Sequence, residues 1–336
     1  MHVTIVYSTP TSQFSSSIFS ATDDDTEHAA KEIDEVLHKK GIQTALIPLH
    51  SETIESQISA IKNTDCIFNL VEWTGSDLPH AMFACSLIET LGIPFTGATT
   101  LNYLFVSDKV YMKRMFDRMN IPTPKWQVFY SGKESADAEL IFPSIVKPAL
   151  HHCSIGLSRD MIVSKKEDVH KKVLLQMQRF AGHVFVEEFI EGREFHVAVL
   201  EREGKPFVLP PVEIVFKVTG TEAFLTYESR WDVDHPDYKQ SEIYVPKTYE
   251  PRLMKRIRKI CEKIFIDLDY RDYMRVDIRV RGDEIFVLEA NCNPGLGEDN
   301  ESAITLAHRA IGMTFEEYLL EILGSCMRRF GKKIEM

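Results

Sequence analysis

Residues 274–291 impose a β-hairpin on this chain and load it with charge. Met274, Val276, Ile278 and Val280 alternate with Arg275, Asp277 and Arg279, the period of a strand with one apolar and one polar face. Gly282 and Asp283 mark the turn. A three-residue loop over 282–284 pairs residue 281 with 285, and that register sets Asp277 opposite Glu289 and Arg275 opposite Asn291 on one face. Two carboxylates facing each other across paired strands repel. A divalent cation between them reverses the sign. Donors that are all oxygen (Asp277, Glu289, Asn291) suit Mg²⁺, which binds a few carboxylates together with substrate phosphates. A solvated strand face carrying charge is the competing reading of the same residues.

The elements before the hairpin alternate in type. Residues 2–7 read as a strand, and 26–40 as a helix with Ala30, Ile33, Val36 and Leu37 on one face, closed by Gly41. Strands at 43–49 and 66–71 flank a helix over 52–62. A helix over 80–91 ends at Gly92, before a short strand at 93–95. This order predicts an open, largely parallel sheet. A helix from Asp108 to Met119 leads to Ile121, Pro122, Thr123 and Pro124, a stiff junction that marks a boundary.

Beyond that junction, strands are expected at 125–130, 143–148, 184–190, 194–201 and 206–215, around a helix at 165–180. Residues 216–247 are polar and aromatic with little periodicity, which predicts a long functional loop. A helix at 250–266, strands at 273–281 and 284–290, and helices at 301–311 and 314–328 complete the chain. No repeat is visible.

Composition narrows the function classes. A chain of 336 residues with 44% hydrophobic and 26% charged residues supports a sizeable core. Its net charge of −11 argues against general nucleic-acid binding. No apolar run reaches the length of a membrane span, and the N-terminus lacks the pattern of a signal peptide. The six cysteines never form a CxxC pair, which fits reduced thiols in the cytoplasm. A dehydrogenase of the dinucleotide-binding type is excluded, because no GxGxxG follows the first strand.

The segment Leu288, Glu289, Ala290, Asn291, Cys292, Asn293, Pro294, Gly295 resembles the metal-binding signature of ATP-grasp enzymes, and more narrowly of D-alanine–D-alanine ligases. Other segments resemble that family in its order: residues 92–97, Ser107-Asp108-Lys109, Val146-Lys147-Pro148 and Ser154-Ile155-Gly156. So do Glu187-Glu188-Phe189-Ile190, Gly192-Arg193-Glu194-Phe195 and Arg275-Val276-Asp277.

The resemblance implies an α/β architecture with α+β subdomains, the ATP-grasp fold. An N-terminal open parallel domain would span 1–98. A central subdomain with the phosphate loop would span 99–183, and a C-terminal one with the metal site 184–336, including a lid at 216–247. The nucleotide would lie between the last two. The implied activity joins a carboxylate to an amine through an acyl phosphate, releasing ADP and phosphate.

By the same resemblance ATP and two Mg²⁺ ions, or Mn²⁺, take part. Asp277, Glu289 and Asn291 would hold the metals. Lys109 and Lys147 would neutralise the ATP phosphates. Ser154, Ile155 and Gly156, after His151-His152-Cys153, would form the loop over them. Glu187 and the backbone around Glu188 and Ile190 would hold adenine, with Phe189 and Ile190 as walls, and Glu194 would take the ribose hydroxyls. Arg275 and the Gly295 N–H would steady the oxyanion. In Tyr227-Glu228-Ser229-Arg230-Trp231, Arg230 stands where the family has a lysine and Trp231 where it has a tyrosine. The partners implied are small carboxylate and amine substrates, and the assembly a homodimer.

Three substrate elements depart from the family's pattern. Ser8-Thr9-Pro10-Thr11-Ser12-Gln13 lacks its glycine-rich start and following glutamate. Glu72-Trp73-Thr74-Gly75-Ser76-Asp77-Leu78-Pro79-His80 replaces its His-Gly loop. Leu296-Gly297-Glu298-Asp299-Asn300-Glu301 replaces the serine and leucine that grip the second substrate's carboxylate. Carboxylates beside a carboxylate subsite repel, so an acceptor with positive charge, or without a free carboxylate, is expected. The acidic stretch as a solvated helix start is the alternative. Two further readings stand beside the ligase with a changed acceptor: a true D-alanine–D-alanine ligase, and an ATP-binding regulatory module without ligase turnover.

Overall fold

The computed structural model describes residues 1–9, 21–73, 77–180, 182–238, 240–298 and 302–334, with the backbone alone for 21–25. Three sheets follow one another along the chain. In the first, β1 (His2–Ser8) lies parallel to both β2 (Gln43–Leu49) and β3 (Cys66–Leu70). Residues 3–8 are all buried, as a parallel strand covered on both faces requires. α1 (Ala21–Lys39) returns the chain from β1 to β2 and buries Ala30, Ile33 and Leu37. α2 (Ile54–Ser59) leads to β3, and α3 (Leu78–Thr90) follows it. The strand expected at 93–95 is a single bridge between Ile67 and Phe95, since Pro94 has no N–H to continue a ladder.

A helix that the periodicity did not announce, α4 (Thr100–Ser107), comes next. Thr99 caps it by accepting from the Asn102 N–H, and the Asn102 side chain returns the bond. α5 (Lys109–Arg118) starts immediately afterwards, capped by the Asp108 carboxylate.

The second sheet is antiparallel, in the order β4 (Trp126–Phe129), β7 (Val184–Glu188), β5 (Ser144–Pro148), β6 (Ile162–Val163). α6 (Lys166–Arg179) covers it with Val169 and Val173. The third sheet runs β11 (Ser241–Tyr244), β10 (Val212–Phe216), β8 (Arg193–Arg202), β12 (Tyr273–Arg281), β13 (Glu284–Cys292), with β9 (Lys205–Val208) also on β8. The strand expected over 206–215 is therefore two, β9 and β10, divided at Pro210 and Pro211, which cannot donate to a ladder. Nor is 216–247 all loop: it holds α7 (Tyr227–Trp231) and the edge strand β11. α8 (Pro251–Asp267), α9 (Ala303–Ala310) and α10 (Phe315–Arg329) complete the chain.

The third sheet is pinned to the first. α10 packs on both β8 and β3, and Tyr318, Leu319 and Leu323 share one apolar core with Ile5 and Phe68. At the joint, the Gly97 N–H donates to Asp272 at 2.7 Å and the Ala98 N–H to the Asn293 side chain at 2.8 Å. Gly97 has φ +74°, and a Cβ there would lie 2.0 Å from Asn293 Oδ1, so only glycine fits. The end of β13 is thereby held against the segment that follows the first sheet.

Candidate active site

A cavity of about 600 Å³ lies between the second and third sheets. Lys147 reaches it from β5, Glu187 and Glu188 from β7, and Glu194 and His196 from β8. Arg275, Asp277 and Arg279 reach it from β12, and Glu289 and Asn291 from β13. Of the residues to which the resemblance gives catalytic, nucleotide or metal roles, all but Gly156 line it, Arg230, Gly295, Ser154, Ile155, Phe189, Ile190 and Lys109 included. Gly156 instead packs on Phe180 and Pro148, where a Cβ would come within 2.7 Å and 2.9 Å.

The hairpin reaches the expected register by a different route. Arg281 pairs with Glu284, so the turn has two residues rather than three. A β-bulge between Asp277 and Ile278 then absorbs Leu288, and beyond it Asp277 faces Glu289 and Arg275 faces Asn291. The two deviations cancel, and the carboxylates meet as the alternation requires.

Each carboxylate of the pair has a cation. Arg275 holds Asp277 through two bonds, of 2.7 Å and 2.8 Å. The Lys109 ammonium holds Glu289. Burial would raise the Glu289 carboxyl, but Lys109, with help from Arg275, keeps it well below the usual carboxylate range. Asn291 bridges the pair, its Nδ2 at 3.4 Å from Asp277 and 3.2 Å from Glu289. Turning that amide over would present its oxygen to the same point, giving an all-oxygen donor set of two carboxylates and an amide. That set fits a Mg²⁺ whose remaining ligands are water and phosphate. Among the described residues no three His, Cys, Asp or Glu side chains gather into a denser metal cluster.

A second ionic group lies toward β7. Glu187 is buried between Lys113 at 2.5 Å and Lys147 at 2.6 Å. Burial would raise its carboxyl, and the two ammonium groups lower it instead. Lys113 went unremarked in the sequence, although it follows Lys109 by four residues and so shares its helix face. Glu188 is paired to Arg281 at 2.5 Å. Phe189 meets Phe224 edge to face at 5.7 Å, and Ile190 adds an apolar surface beside them.

Glu194 takes Arg279 at 2.5 Å and lies 3.6 Å from His196, which is 3.7 Å from Asp277. His196 also escaped notice, yet the ladder places it directly beside Asp277. Burial opposes ionisation of Glu194, while Arg279 and His196 bring its carboxyl down from 4.5 to about 2. A depressed carboxyl contributes stability that is full above its unfolded value and is lost as pH falls through its folded one. Glu194→Gln is therefore expected to flatten the acid limb of stability between about pH 4.5 and 2, by on the order of 2–3 kcal/mol. Urea midpoints across that window read it, and an unaltered limb would refute the assignment.

Two loops close the cavity and are bonded to each other. Cys153 and Ser154 sit at φ +54° and +62°, a left-handed conformation that costs non-glycine residues about 1–2 kcal/mol each. The Trp231 indole N–H donates to the Cys153 carbonyl at 3.0 Å, and the Tyr227 N–H to the Leu157 carbonyl at 3.0 Å. α7 thus lies along the 153–157 turn. Burial, reinforced by Lys109, lowers His151 to about 4 and His152 to about 3, so both rings are neutral near pH 7.

The family description "D-ala D-ala ligase C-terminus" matches residues 115–324. The chain belongs to the D-alanine–D-alanine ligase family. It is an ATP-grasp carboxylate–amine ligase. A D-alanine–D-alanine ligase of Aquifex aeolicus is 32% identical over 239 residues, 70% of this chain and 75% of its own. An uncharacterised protein of Sinorhizobium fredii is 32% identical over 270 residues, 80% of this chain and 76% of its own. The fold is that of the D-alanine–D-alanine ligase from Bacillus anthracis complexed with ATP (TM-score 0.74, 19% identity, 98% of both chains). It is equally that of the VanG D-Ala:D-Ser ligase from Enterococcus faecalis (TM-score 0.75, 20% identity, 97% and 99%).

Of the elements that depart from the family's pattern, residues 10–13, 74–76 and 299–301 lie outside the described residues. Glu298 is half-exposed, faces Arg309 at 3.9 Å and does not line the cavity. The expected repulsion of an acceptor carboxylate finds no support in Glu298. No helix among the described residues is long and apolar enough to cross a membrane.

Proposed function

We propose that this chain phosphorylates a carboxylate with ATP and passes the acyl group to an amine. The observation that carries the reading is convergence: Lys109, Lys147, Arg275 and the Asp277–Glu289–Asn291 face all open on one cavity. A free carboxylate resists amine attack because oxide would have to leave. Its oxygen therefore attacks the γ-phosphorus, the bond to ADP breaks, and an acyl phosphate results. The neutral amine attacks the acyl carbon, the bond to phosphate breaks, and the nitrogen gives up a proton. ADP and phosphate are released.

Lys109 and Lys147 balance the charge on the phosphates. Asp277, Glu289 and Asn291 would hold Mg²⁺, two ions by resemblance or Mn²⁺ in their place, which supplies Lewis-acid neutralisation of phosphate oxygens. Arg275 and the Gly295 N–H face the oxyanion of the acyl carbon, and Ser154 and Arg230 border the reacting groups. Phe189, Ile190 and Phe224 enclose adenine, with Glu188 and Glu187 beside it. Glu194 takes the ribose. Glu187 has a further role, since it orients Lys147 through their ion pair.

The domain limits at 98 and 183 belong to the same reading, as do a homodimer and a cytoplasmic location, the latter supported by six free thiols. Release of ADP that requires a carboxylate, with hydroxylamine trapping the acyl phosphate as a hydroxamate, tests the chemistry. ADP formation indifferent to every carboxylate would instead support an ATP-binding module. Efficient synthesis of D-alanyl-D-alanine would identify a true D-alanine–D-alanine ligase.

The bonded loops should exclude water from the acyl phosphate. Trp231→Phe keeps the ring and deletes the bond to Cys153. It is expected to raise ADP release uncoupled from product by several-fold, as loss of a hydrogen bond of about 1 kcal/mol allows. Coupling ratios equal to those of the wild type would remove that role.

A further inference from the structure

α8 carries six cations, Arg252, Lys255, Arg256, Arg258, Lys259 and Lys263, against two carboxylates, Glu262 and Asp267. The whole chain has a net charge of −11, so this helix concentrates charge of the opposite sign. All six cations are exposed. At the helical turn of 3.6 residues, Arg252, Lys255, Arg256, Lys259 and Lys263 fall within about 100° of arc, in a row about 16 Å long. Lys263 is paired with Asp267 at 2.5 Å, and Arg252 has the capping Glu250 beside it. Arg256 donates to the Asp283 carbonyl, and among the described residues no carboxylate forms an ion pair with it or with Lys255, Arg258 or Lys259.

The other side of α8 is used by the core. Ile257, Cys261, Ile264 and Phe265 share one apolar cluster with Met274, Val276, Ile278 and Val280 of β12. Arg275, Asp277 and Arg279 alternate with those residues and line the cavity. The row of cations and the cavity thus lie across the third sheet from each other. α8 exposes no aromatic ring on which a base could stack, since Phe265 is buried. Its one large exposed apolar side chain is Ile266, at the end of the row. Protein interfaces draw their affinity from several buried apolar and aromatic anchors, which this face does not offer. A plane of anionic headgroups needs none. It meets every cation of a straight row at once, each worth about fivefold in binding.

We propose that the exposed face of α8 docks this protein on an anionic lipid surface. The contact is peripheral: the cations meet the headgroups while the apolar side of the helix stays in the core. It needs no membrane-spanning helix, and none occurs among the described residues. Because the cavity lies on the opposite face of the sheet, docking leaves it uncovered. Nothing in this contact depends on the ligase chemistry.

The test is co-sedimentation of the full chain with vesicles of phosphatidylcholine alone, and of phosphatidylcholine with an equal part of phosphatidylglycerol. Binding is expected to the anionic vesicles only, and to weaken at least about tenfold between about 50 mM and about 200 mM salt. Lys255→Gln, Lys259→Gln and Lys263→Gln together are expected to weaken it about a hundredfold. Arginine at the same three positions should restore it to within about threefold. Lys165→Gln, Lys166→Gln and Lys171→Gln remove the same charge from other exposed positions, and are expected to cost less than about threefold. Exposed substitutions of this kind leave the fold intact, and matching urea midpoints check that they do. No sedimentation with anionic vesicles overturns the proposal. So do equal binding to both vesicle types and equal losses in the two glutamine variants. Retention on immobilised polyglutamate without sedimentation assigns the row to an acidic protein and overturns the lipid contact.

Discussion

Glu289→Ala is expected to lower kcat about a thousandfold, because metal-derived charge stabilisation supplies several kcal/mol and each 1.36 kcal/mol is a decade in rate. The residue stands opposite Asp277 in the ladder and within reach of the Asn291 amide, so its loss removes half of the carboxylate pair. It also strips Lys109 of the carboxylate it is bonded to in this structure. Steady-state kinetics at several Mg²⁺ concentrations separate the two consequences. A lost metal ligand shifts the Mg²⁺ dependence, whereas a misplaced lysine raises KM for ATP alone. A kcat within tenfold of the wild type would remove Glu289 from the metal site and would weaken the ligase mechanism with it.

Lys113→Met carries the largest expected effect on stability. The Lys113 and Glu187 side chains are 1% and 2% exposed, so deleting the ammonium leaves a carboxylate in the interior. Breaking such a pair by removing one partner typically costs about 3–5 kcal/mol. Lys147 still holds the other carboxylate oxygen at 2.6 Å, which places the expected loss near the lower end, about 3 kcal/mol. Equilibrium urea unfolding measures it. The same variant should raise KM for ATP, since Lys147 is then left alone with Glu187 and binds it more closely. A change in unfolding free energy of no more than about 0.5 kcal/mol, as for an ordinary surface substitution, would show that Glu187 is compensated by Lys147 alone.

The parts of the molecule that were legible in the sequence are those with a strict period or a rigid stop. The alternation over 274–280 and the apolar face of α1 each state their element directly. α4 was invisible because its cap is completed by Asn102 rather than by a glutamate or glutamine, and because its eight residues offer barely two turns of pattern. β11 was lost inside a polar segment, being four residues long and on a sheet edge where alternate side chains stay exposed. The side chains Lys113 and His196 were missed for a common reason. Each acquires its partner only across elements, Lys113 on β7 and His196 on the neighbouring strand, and single-chain spacing carries no trace of such pairings. Spacing alone made the site legible where its residues share one hairpin, whereas Lys109, Lys147, Glu187 and Glu194, carried by separate elements, were reached through the resemblance of their motifs.

The bulge at Leu288 separates two jobs within a single ribbon. On its far side from the tip, partners are matched to within one residue, because slipping the ladder would turn Glu289 away from Asp277. On the tip side, the two-residue bend and the one-residue bulge count together, since it is their sum that brings Asp277 opposite Glu289. A shift of ladder register at the apex would therefore have to be matched at the bulge for the chemistry about 16 Å along the ribbon, some five residues of strand rise, to keep its alignment.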